Sequence, residues 1–286
     1  MNDNSTLISN EVVMPASKKG QPLTFLGVIS NEYVLNVISL VMFFSLWHWA
    51  AASRVFGHSS SLATPIEVIQ RLEELFTSTL AGLTIWGHIW ASMKRIIIGF
   101  LLAALTGVPL GLLMALNPYL NAVIKPIFDI FKTMPPLAWI SIAILWFGVQ
   151  DAPKIFLIFI GSFVPALMNA YKSVLLIEPE LYDVVRVLGG NRWDEIRLVS
   201  IPGSLPAISA GLQIALSSAW TCVLAAELVS SRSGLGYIII QGMKVSDPAM
   251  VIGGMMVIAA SAYSFSWSME WIDRKLCSWK RDIEGL

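Results

Sequence analysis

The residues best suited to contact another molecule form one charged stretch, 178–200, between two long apolar segments. Pro179 and the acidic side chains around it predict the first turn of a helix, where negative charge is favourable. Gly189 and Gly190 predict the end of this helix, and a second short helix is expected to begin near Asn191. The pattern therefore predicts a compact helix, turn and helix whose charged side chains are available for ionic contacts.

Histidines and cysteines, the residues that most often bind metals or act in catalysis, do not occur here in the spacing of a known site. The three histidines, His48, His58 and His88, have no metal-ligand spacing with carboxylates or thiols. Cys222 stands in an apolar run and Cys277 in a basic tail, which argues against a disulfide framework. The sequence also lacks a Gly-rich phosphate loop ending in Lys and Ser or Thr. We therefore predict a protein that is not an enzyme and holds no catalytic residue, metal or cofactor.

Composition places the chain in a membrane. Hydrophobic residues make up 56% and charged residues 13% of the sequence, and the mean hydropathy is +0.69. Soluble domains carry about 25% charged residues, so an all-α integral membrane protein is predicted, with the lipid bilayer as its first partner. The formal net charge is zero, which gives no bias toward nucleic acid as a partner.

Six segments are apolar and long enough to cross a bilayer, which takes a helix of about 20 residues. Four contain no charged residue, and the other two require Asp129, Lys132 and Lys172 to lie near helix ends. The predicted domains are a cytoplasmic N-terminal extension (1–33), a transmembrane domain (34–271) and a cytoplasmic basic tail (272–286). The predicted spans are 34–52, 96–116, 127–149, 155–177, 201–226 and 249–269.

Residues 75–93 form a further uncharged segment. Thr, Ser and His are frequent in it, and Lys94 and Arg95 follow directly. We interpret this segment as interfacial in preference to a further span.

Basic residues predict the orientation of the chain. With six spans and both ends inside, the interior segments hold twelve of the nineteen Lys and Arg residues. Such residues concentrate on the cytoplasmic side of membranes, although Lys94 and Arg95 go against this rule. The basic tail gives the best support for two cytoplasmic termini.

Two helical stripes occur within the spans. Small residues recur every four positions in the second span, which lets helix backbones approach closely, and we favour packing within the chain over a dimer contact. Polar residues recur in the same way in the fifth span, where they suit either a translocation path or hydrogen bonds between helices. The small stripe is Gly99, Ala103, Gly107, Gly111 and Ala115, and the polar stripe is Ser209, Gln213, Ser217 and Thr221.

Glu227 is an isolated carboxylate where the fifth span is expected to meet the outer surface. An acid at such a depth is a candidate functional residue, and a partner such as Arg232 could satisfy its charge.

The spacing within residues 178–202 resembles a family signature. It is similar to the EAA motif of the permease subunits of binding-protein-dependent ABC importers, in which Glu-Ala-Ala, a glycine and an Ile-x-Leu-Pro ending define the coupling helix. In this chain Asp replaces Glu and Val replaces both Ala, while the glycine and the proline are kept. The matching residues are Asp183, Val184, Val185, Gly189, Val199, Ile201 and Pro202.

This resemblance implies the type I ABC importer permease fold, with six transmembrane helices and a cytoplasmic coupling helix. It also implies a homodimer, two cytoplasmic ATPase subunits that bind ATP and magnesium, and a periplasmic or surface substrate-binding protein at a bacterial inner membrane. The residues expected to contact the ATPase are Glu180, Asp183, Val184, Arg186, Val187 and Gly189.

Further motifs resemble the sulfonate and taurine branch of these permeases, whose relatives also serve nitrate, bicarbonate, cyanate and some aromatic nutrients. The resemblance implies a small anionic or zwitterionic solute. The motifs are Pro135-Pro136-Leu-Ala-Trp139, Trp146-Phe147-Gly148, Ala226-Glu227-Leu228 and Gly234-Leu-Gly-Tyr237.

A secondary transporter driven by an ion gradient is the alternative from another class. It would carry inverted repeats, broken helices or buried acidic relays near the midplane, and the sequence shows none of these.

Overall fold

The computed structural model describes residues 32–53 and 62–276, and the regular elements in these ranges are helices. Residues 1–53 and 54–286 form two compact units, and the first of them contains α1. The helices are α1 (Glu32–Ala52), α2 (Pro65–Thr77), α3 (Ile85–Leu116), α4 (Pro118–Phe131), α5 (Ile140–Phe147), α6 (Ala152–Leu175), α7 (Pro179–Val187), α8 (Arg192–Glu195), α9 (Ile201–Ser230), α10 (Leu235–Lys244) and α11 (Pro248–Leu276).

Five helical segments are long and apolar enough to cross a membrane, and a bent pair of helices brings the number to six. The five are Val34–Ala52, Ile85–Leu116, Ala152–Leu175, Arg192–Val229 and Pro248–Lys275. The all-α membrane fold predicted from composition is confirmed. The N-terminal extension and most of the basic tail lie outside the described residues, so their predicted placement stays a prediction.

The bent pair corrects the prediction of one continuous helix over 127–149. Pro118–Phe131 and Pro136–Phe147 meet at an angle of 84°. A 3-10 turn, Pro136–Trp139, leads from the break into α5. Pro136 has no backbone N–H and disfavours helical geometry at Pro135, so the two prolines end one helix direction and start another.

Residues 75–93 are not a single segment either. α2 ends at Thr77, and Leu80 and Leu83 exchange backbone hydrogen bonds of 2.8 and 3.0 Å across a tight turn. Gly82 sits at the centre of this turn with φ of +80°, a conformation that glycine adopts without strain. Thr84 then caps the N-terminus of α3, which therefore begins well before the predicted second span and carries Lys94 and Arg95 within it.

The core lies where α3, α6 and α9 pack against one another. A Cβ atom on Gly99 would stand 2.6 Å from the side chain of Ile158, and one on Gly111 would overlap the carbonyl oxygen of Leu167. The small stripe of α3 thus packs against α6, as the interpretation of packing within the chain predicted. On the other side of α6, the Ser162 hydroxyl donates to the Ala215 carbonyl on α9 at 3.0 Å.

Candidate functional site

The α7 segment begins at a proline and ends with a defined C-cap. Pro179 occupies the first turn, where no N–H is needed. At the other end the N–H of Gly189 donates to the Arg186 carbonyl at 3.0 Å, and that of Gly190 donates to the Val185 carbonyl at 2.9 Å. This pair of bonds is a Schellman motif, which requires Gly189 to adopt its φ of +83°. The predicted helix and its glycine stop are confirmed.

The second short helix is also fixed at its start. The Asn191 side chain accepts from the N–H groups of Trp193 and Asp194 at 2.8 and 3.1 Å, and Asp194 accepts from the Asn191 N–H at 2.9 Å. These reciprocal bonds form a capping box. The predicted start near Asn191 is therefore confirmed, and the turn between α7 and α8 has little freedom to change direction.

An ion-pair network joins α7 to α8. The Arg186 guanidinium lies 2.7 Å from Glu195 on α8 and 3.1 Å from Asp183 on its own helix. The hydrogen bond and negative charge of Glu195 raise the pKa of Arg186 further above its usual value. Arg186 thus links the two helices by an exposed ion pair, in addition to the caps on either side of the turn.

The residues predicted to contact an ATPase are all exposed. Glu180, Asp183 and Arg186 lie at the surface with Gly189. Val184 and Val187 are 57% and 86% exposed, and Leu188 is 82% exposed. These three apolar side chains follow the i, i+3, i+4 spacing of one helix face, and we call them the α7 patch. Large exposed apolar side chains on one face are typical of a protein contact surface.

The second half of the signature has a different place. Val199 and Ser200 are buried, and the Ser200 hydroxyl lies 3.1 Å from the Tyr182 hydroxyl on α7. A π-helical turn, Ile196–Ser200, joins α8 to α9 at this point. The end of the signature therefore anchors α7 and α8 to a membrane-length helix, while its beginning is left free for contact. Tyr182 has no position in the signature, and sequence reasoning missed it.

The polar stripe of α9 divides between two environments. Ser209 is partly buried and donates to Asp273 on α11, whereas Ser217 and Thr221 are exposed. The hydroxyls of Ser217 and Thr221 donate to the backbone carbonyls four residues earlier, both at 3.2 Å. Gln213 is half-buried between them and Ser209. Gln213, Ser217 and Thr221 thus remain available to line a path, whereas Ser209 bonds α9 to α11.

A buried ionic cluster lies at the other end of the same helices. Arg95 on α3 donates to Glu227 on α9 at 2.7 Å and to Asp151, just before α6, at 2.8 Å. It also donates to the backbone and side chain of Ser233, both at 2.9 Å. Ser92 donates to Glu227 at 2.7 Å. We call Ser92, Arg95, Asp151, Glu227 and Ser233 the Arg95 cluster.

Glu227 is 1% exposed and fully bonded. Besides Arg95 and Ser92, it accepts from the backbone N–H of Gly236 at 2.9 Å. A Cβ atom on Gly234 would overlap the carboxylate, so the Gly-Leu-Gly turn closes over it because glycine leaves the room. Arg232, which the sequence suggested as the partner, is exposed, and Arg95 takes this role instead.

His88 completes the wall around this turn. Its Nδ1 accepts from the Gly234 N–H at 3.1 Å, so Nε2 carries the proton and donates to the Leu80 carbonyl at 2.9 Å. A neutral histidine with both nitrogens bonded in this way is a structural residue that fixes the α9–α10 connection to α3.

The α7 patch and the Arg95 cluster lie at opposite ends of the bundle. A cavity of about 600 Å³ brings Arg186 and Arg192 of the α7 and α8 segment beside Leu116 at the end of α3. Arg95 and Leu116 lie on the same helix, and a rise of 1.5 Å per residue places them about 30 Å apart along its axis. The helices α3 and α9 therefore extend from the α7 end to the Arg95 end.

Comparison with known proteins agrees with this geometry. Residues 107–277 match the family described as the inner membrane component of binding-protein-dependent transport systems. The taurine transport system permease protein TauC of Escherichia coli is 29% identical over 90% of this chain and 93% of its own length. The nitrate import permease protein NrtB of Synechococcus elongatus is 31% identical over 73% of this chain and 76% of its own length.

Among solved structures, a chain of the inward-facing MetNI methionine ABC transporter aligns with a TM-score of 0.59 and 18% identity, over 67% of this chain and 97% of that one. This similarity shows the fold, which is that of type I ABC importer permeases. The family match covers more than half of the chain and includes the α7 segment, the Arg95-bonded Glu227 and the last span. The chain therefore belongs to the family of multi-pass inner-membrane components of binding-protein-dependent transport systems.

Proposed function

We propose that this permease works as a homodimer with two cytoplasmic ATPase subunits, and that a periplasmic or surface binding protein delivers its solute. ATP and magnesium bind to the partner ATPase, and this chain converts the movement of that partner into a change of its helices. The proposal is supported by the family to which the chain belongs and by the exposure of the α7 patch.

The observation that carries the proposal is the combination of rigidity and exposure in α7. The Schellman motif, the capping box and the Arg186 ion pairs fix the shape of this segment. Its outer face nevertheless leaves Val184, Val187 and Leu188 in solvent. A rigid element with an uncovered apolar face is suited to dock in a cleft of another protein and to transmit displacement without deforming.

In this arrangement Glu180, Asp183 and Arg186 supply charged contacts around the α7 patch. Val184 and Val187 supply the apolar contact, and Gly189 sets the turn that directs the segment toward the ATPase. The ion pairs of Asp183 and Arg186 within the segment leave their outer faces exposed, so they are able to pair again across an interface.

The proposed orientation places the α7 end in the cytoplasm of a bacterial cell, together with both termini. The distribution of Lys and Arg supports it, since the segments assigned to the inside hold most of them. The Arg95 cluster then lies at the outer end, facing the binding protein.

The proposed solute is a small anionic or zwitterionic molecule of the taurine or sulfonate type, because TauC is a taurine permease and covers nearly the whole chain. Nitrate import by NrtB makes nitrate the second candidate, with bicarbonate and cyanate behind it. Gln213, Ser217 and Thr221 are proposed to line the path, since they form a polar row along one side of α9 that reaches the surface.

The test is uptake into proteoliposomes that contain the permease, its ATPase and its binding protein. The variant Gly189→Val keeps the outer face of α7 but forces a valine into a left-handed conformation, which costs about 1–2 kcal/mol locally and redirects the turn. We expect ATP hydrolysis to continue while taurine uptake falls at least about tenfold.

Gly82→Val is the matched control, because Gly82 has a φ of +80° in the α2–α3 turn and has open space around it, as Gly189 does. This variant introduces the same backbone strain away from α7 and should retain uptake. Normal uptake by Gly189→Val, or an equal loss in both variants, would contradict the assignment of α7 as the coupling element.

A further inference from the structure

A cavity of about 730 Å³ lies beside the Arg95 cluster, between the start of α6 and the α9–α10 connection. Its wall includes two carboxylates, Asp151 and Glu227, and a larger number of cations. The cations are Arg95, Lys154, Arg232 and Lys244. The electrostatic character of the cavity therefore depends on which of its cations are paired with the two carboxylates.

Arg95 uses both carboxylates. It makes bonds of 2.7 Å to Glu227 and to Asp151, and its remaining donor capacity goes to Ser233. Glu227 is further saturated by Ser92 and by the Gly236 N–H. Arg95 balances one of these two negative charges, so the three groups together retain one negative charge.

The other three cations make a long ion pair or none. Lys154 is 4% exposed, and its ammonium lies 3.9 Å from Asp151, beyond hydrogen-bond distance. Arg232 and Lys244 make no ion pair with any residue that the structure describes. The negative charge left on the Arg95 set offsets one of these three cations, so the cavity wall has a formal excess of two positive charges.

Ser231 adds an uncharged donor to the same wall. Its hydroxyl oxygen is buried and has no hydrogen-bond partner within residues 32–53 and 62–276. A buried polar group without a partner costs about 1–3 kcal/mol. This cost is recovered when an anion with several acceptor oxygens accepts from the Ser231 hydroxyl and pairs with the neighbouring cations.

We propose that this cavity is a binding site for a small oxyanion of the sulfonate or nitrate type, held by Lys154, Arg232, Lys244 and the Ser231 hydroxyl. Nitrate and the sulfonate group each offer three acceptor oxygens, which match a set of separate donors. The volume admits a small solute, and Lys154 is too deeply buried to meet the side chains of another protein. The biological role of the site, as the place where the permease receives its solute, rests on the proposed import function.

The experiment measures binding of methanesulfonate to the purified full-length chain in nanodiscs of phosphatidylcholine, by isothermal titration calorimetry. We expect saturable binding by the unmodified protein. Lys154→Gln and Arg232→Gln should each weaken it by about tenfold or more, since each removes a charged hydrogen bond worth at least about 1.4 kcal/mol. Lys154→Arg keeps the positive charge, so its binding of methanesulfonate should weaken by less than about tenfold.

Two controls separate site binding from general attraction. Lys94→Gln removes the same charge at the same end of α3, but Lys94 is exposed and does not line the cavity, so binding should be unchanged. Dimethyl sulfone has a shape close to that of methanesulfonate without its charge, and it should not bind. Absence of saturable methanesulfonate binding, or an equal loss in Lys94→Gln and Arg232→Gln, overturns the proposal.

Two further outcomes would assign the cations to other ligands. If phosphatidylglycerol nanodiscs abolish methanesulfonate binding, and native mass spectrometry finds this lipid retained by the unmodified chain but not by Lys154→Gln, the site belongs to a lipid headgroup. If the variants bind methanesulfonate normally but lose the binding protein, the cations form a docking surface. Neither the ATPase nor the binding protein is present in the titration. Methanesulfonate binding by the chain would therefore remain established even if ATP-driven uptake failed.

Discussion

Arg95 shows how one side chain can hold four parts of a membrane protein together. It joins α3 to the start of α6, to the end of α9 and to the turn before α10. An unpaired charge inside a bilayer is costly. Any other arrangement of these helices would separate Arg95 from its carboxylates and is therefore unfavourable. The arrangement specifies which helix ends meet.

Replacement of Arg95 by Gln should leave the buried Glu227 without its cation. Loss of one partner of a buried ion pair destabilises by about 3–5 kcal/mol. We expect a lower midpoint of thermal aggregation in detergent for Arg95→Gln, with partial recovery in the double variant Arg95→Gln with Glu227→Gln. Lys94→Gln, the exposed neighbour, should remain within about 0.5 kcal/mol of the unmodified protein. A double variant that is no better than the single one would contradict a pairwise role.

The sequence identified Glu227 as a buried acid but named the wrong partner. Arg232 is near Glu227 in sequence, whereas Arg95 lies on a helix much earlier in the chain. Only the packing of α3 against α9 brings Arg95 and Glu227 together. The same limit applies to Tyr182 and Ser200, whose contact depends on how α7 folds back onto the start of α9. Local spacing predicts local pairs, and pairs between distant helices need the fold.

Helix α3 shows what hydropathy reveals at the scale of an element. Its apolar part was predicted, but its first turns were not, because Lys94 and Arg95 interrupt the apolar pattern. Arg95 belongs inside the helix since its charge is satisfied by Glu227 and Asp151. The break between α4 and α5 was missed for a different reason: the segment is largely apolar on both sides of the break, and hydropathy does not record direction. The two prolines carried that information.

The close approach of α3 to α6 should depend on Gly111. A side chain there would overlap the Leu167 carbonyl, which is backbone and therefore unable to move aside cheaply. We expect Gly111→Val to lower the thermal aggregation midpoint strongly, since overpacking costs about 1–3 kcal/mol or more. Thr106→Val on the exposed side of the same helix is the matched control and should have little effect. Equal stability of both variants would show that the α3 stripe is not a packing surface.

At the scale of the whole molecule, membrane-length helices join the α7 patch to the Arg95 cluster. The bent helix pair, which the sequence did not reveal, and the buried Glu227 are features that secondary transporters also carry. Glu227 is bonded to a fixed cation and two further donors, however, so it is not available as a proton relay. Membership of the permease family supports the proposal that a partner ATPase, and not an ion gradient, powers transport.

The proposed orientation predicts which end is accessible from outside the cell. In a background with Cys222→Ser and Cys277→Ser, we expect Lys244→Cys to react with a membrane-impermeant maleimide in right-side-out vesicles. Glu180→Cys should react only after the vesicles are permeabilised, because α7 lies at the opposite end. Leu105→Cys, on the exposed apolar side of α3, should react in neither case. Labelling of Glu180→Cys in intact vesicles would reverse the orientation.

The π-helical turn at Ile196–Ser200 determines where this assembly bends. Its wider hydrogen-bonded ring is weaker than the α-helical rings that follow it, so torsion applied to α7 and α8 concentrates within five residues. Beyond that point the chain continues as α9, a helix of membrane length. The hydroxyl contact between Tyr182 and Ser200 crosses this turn and opposes its bending. Under the proposed coupling, displacement of α7 would therefore pivot a single span about this turn.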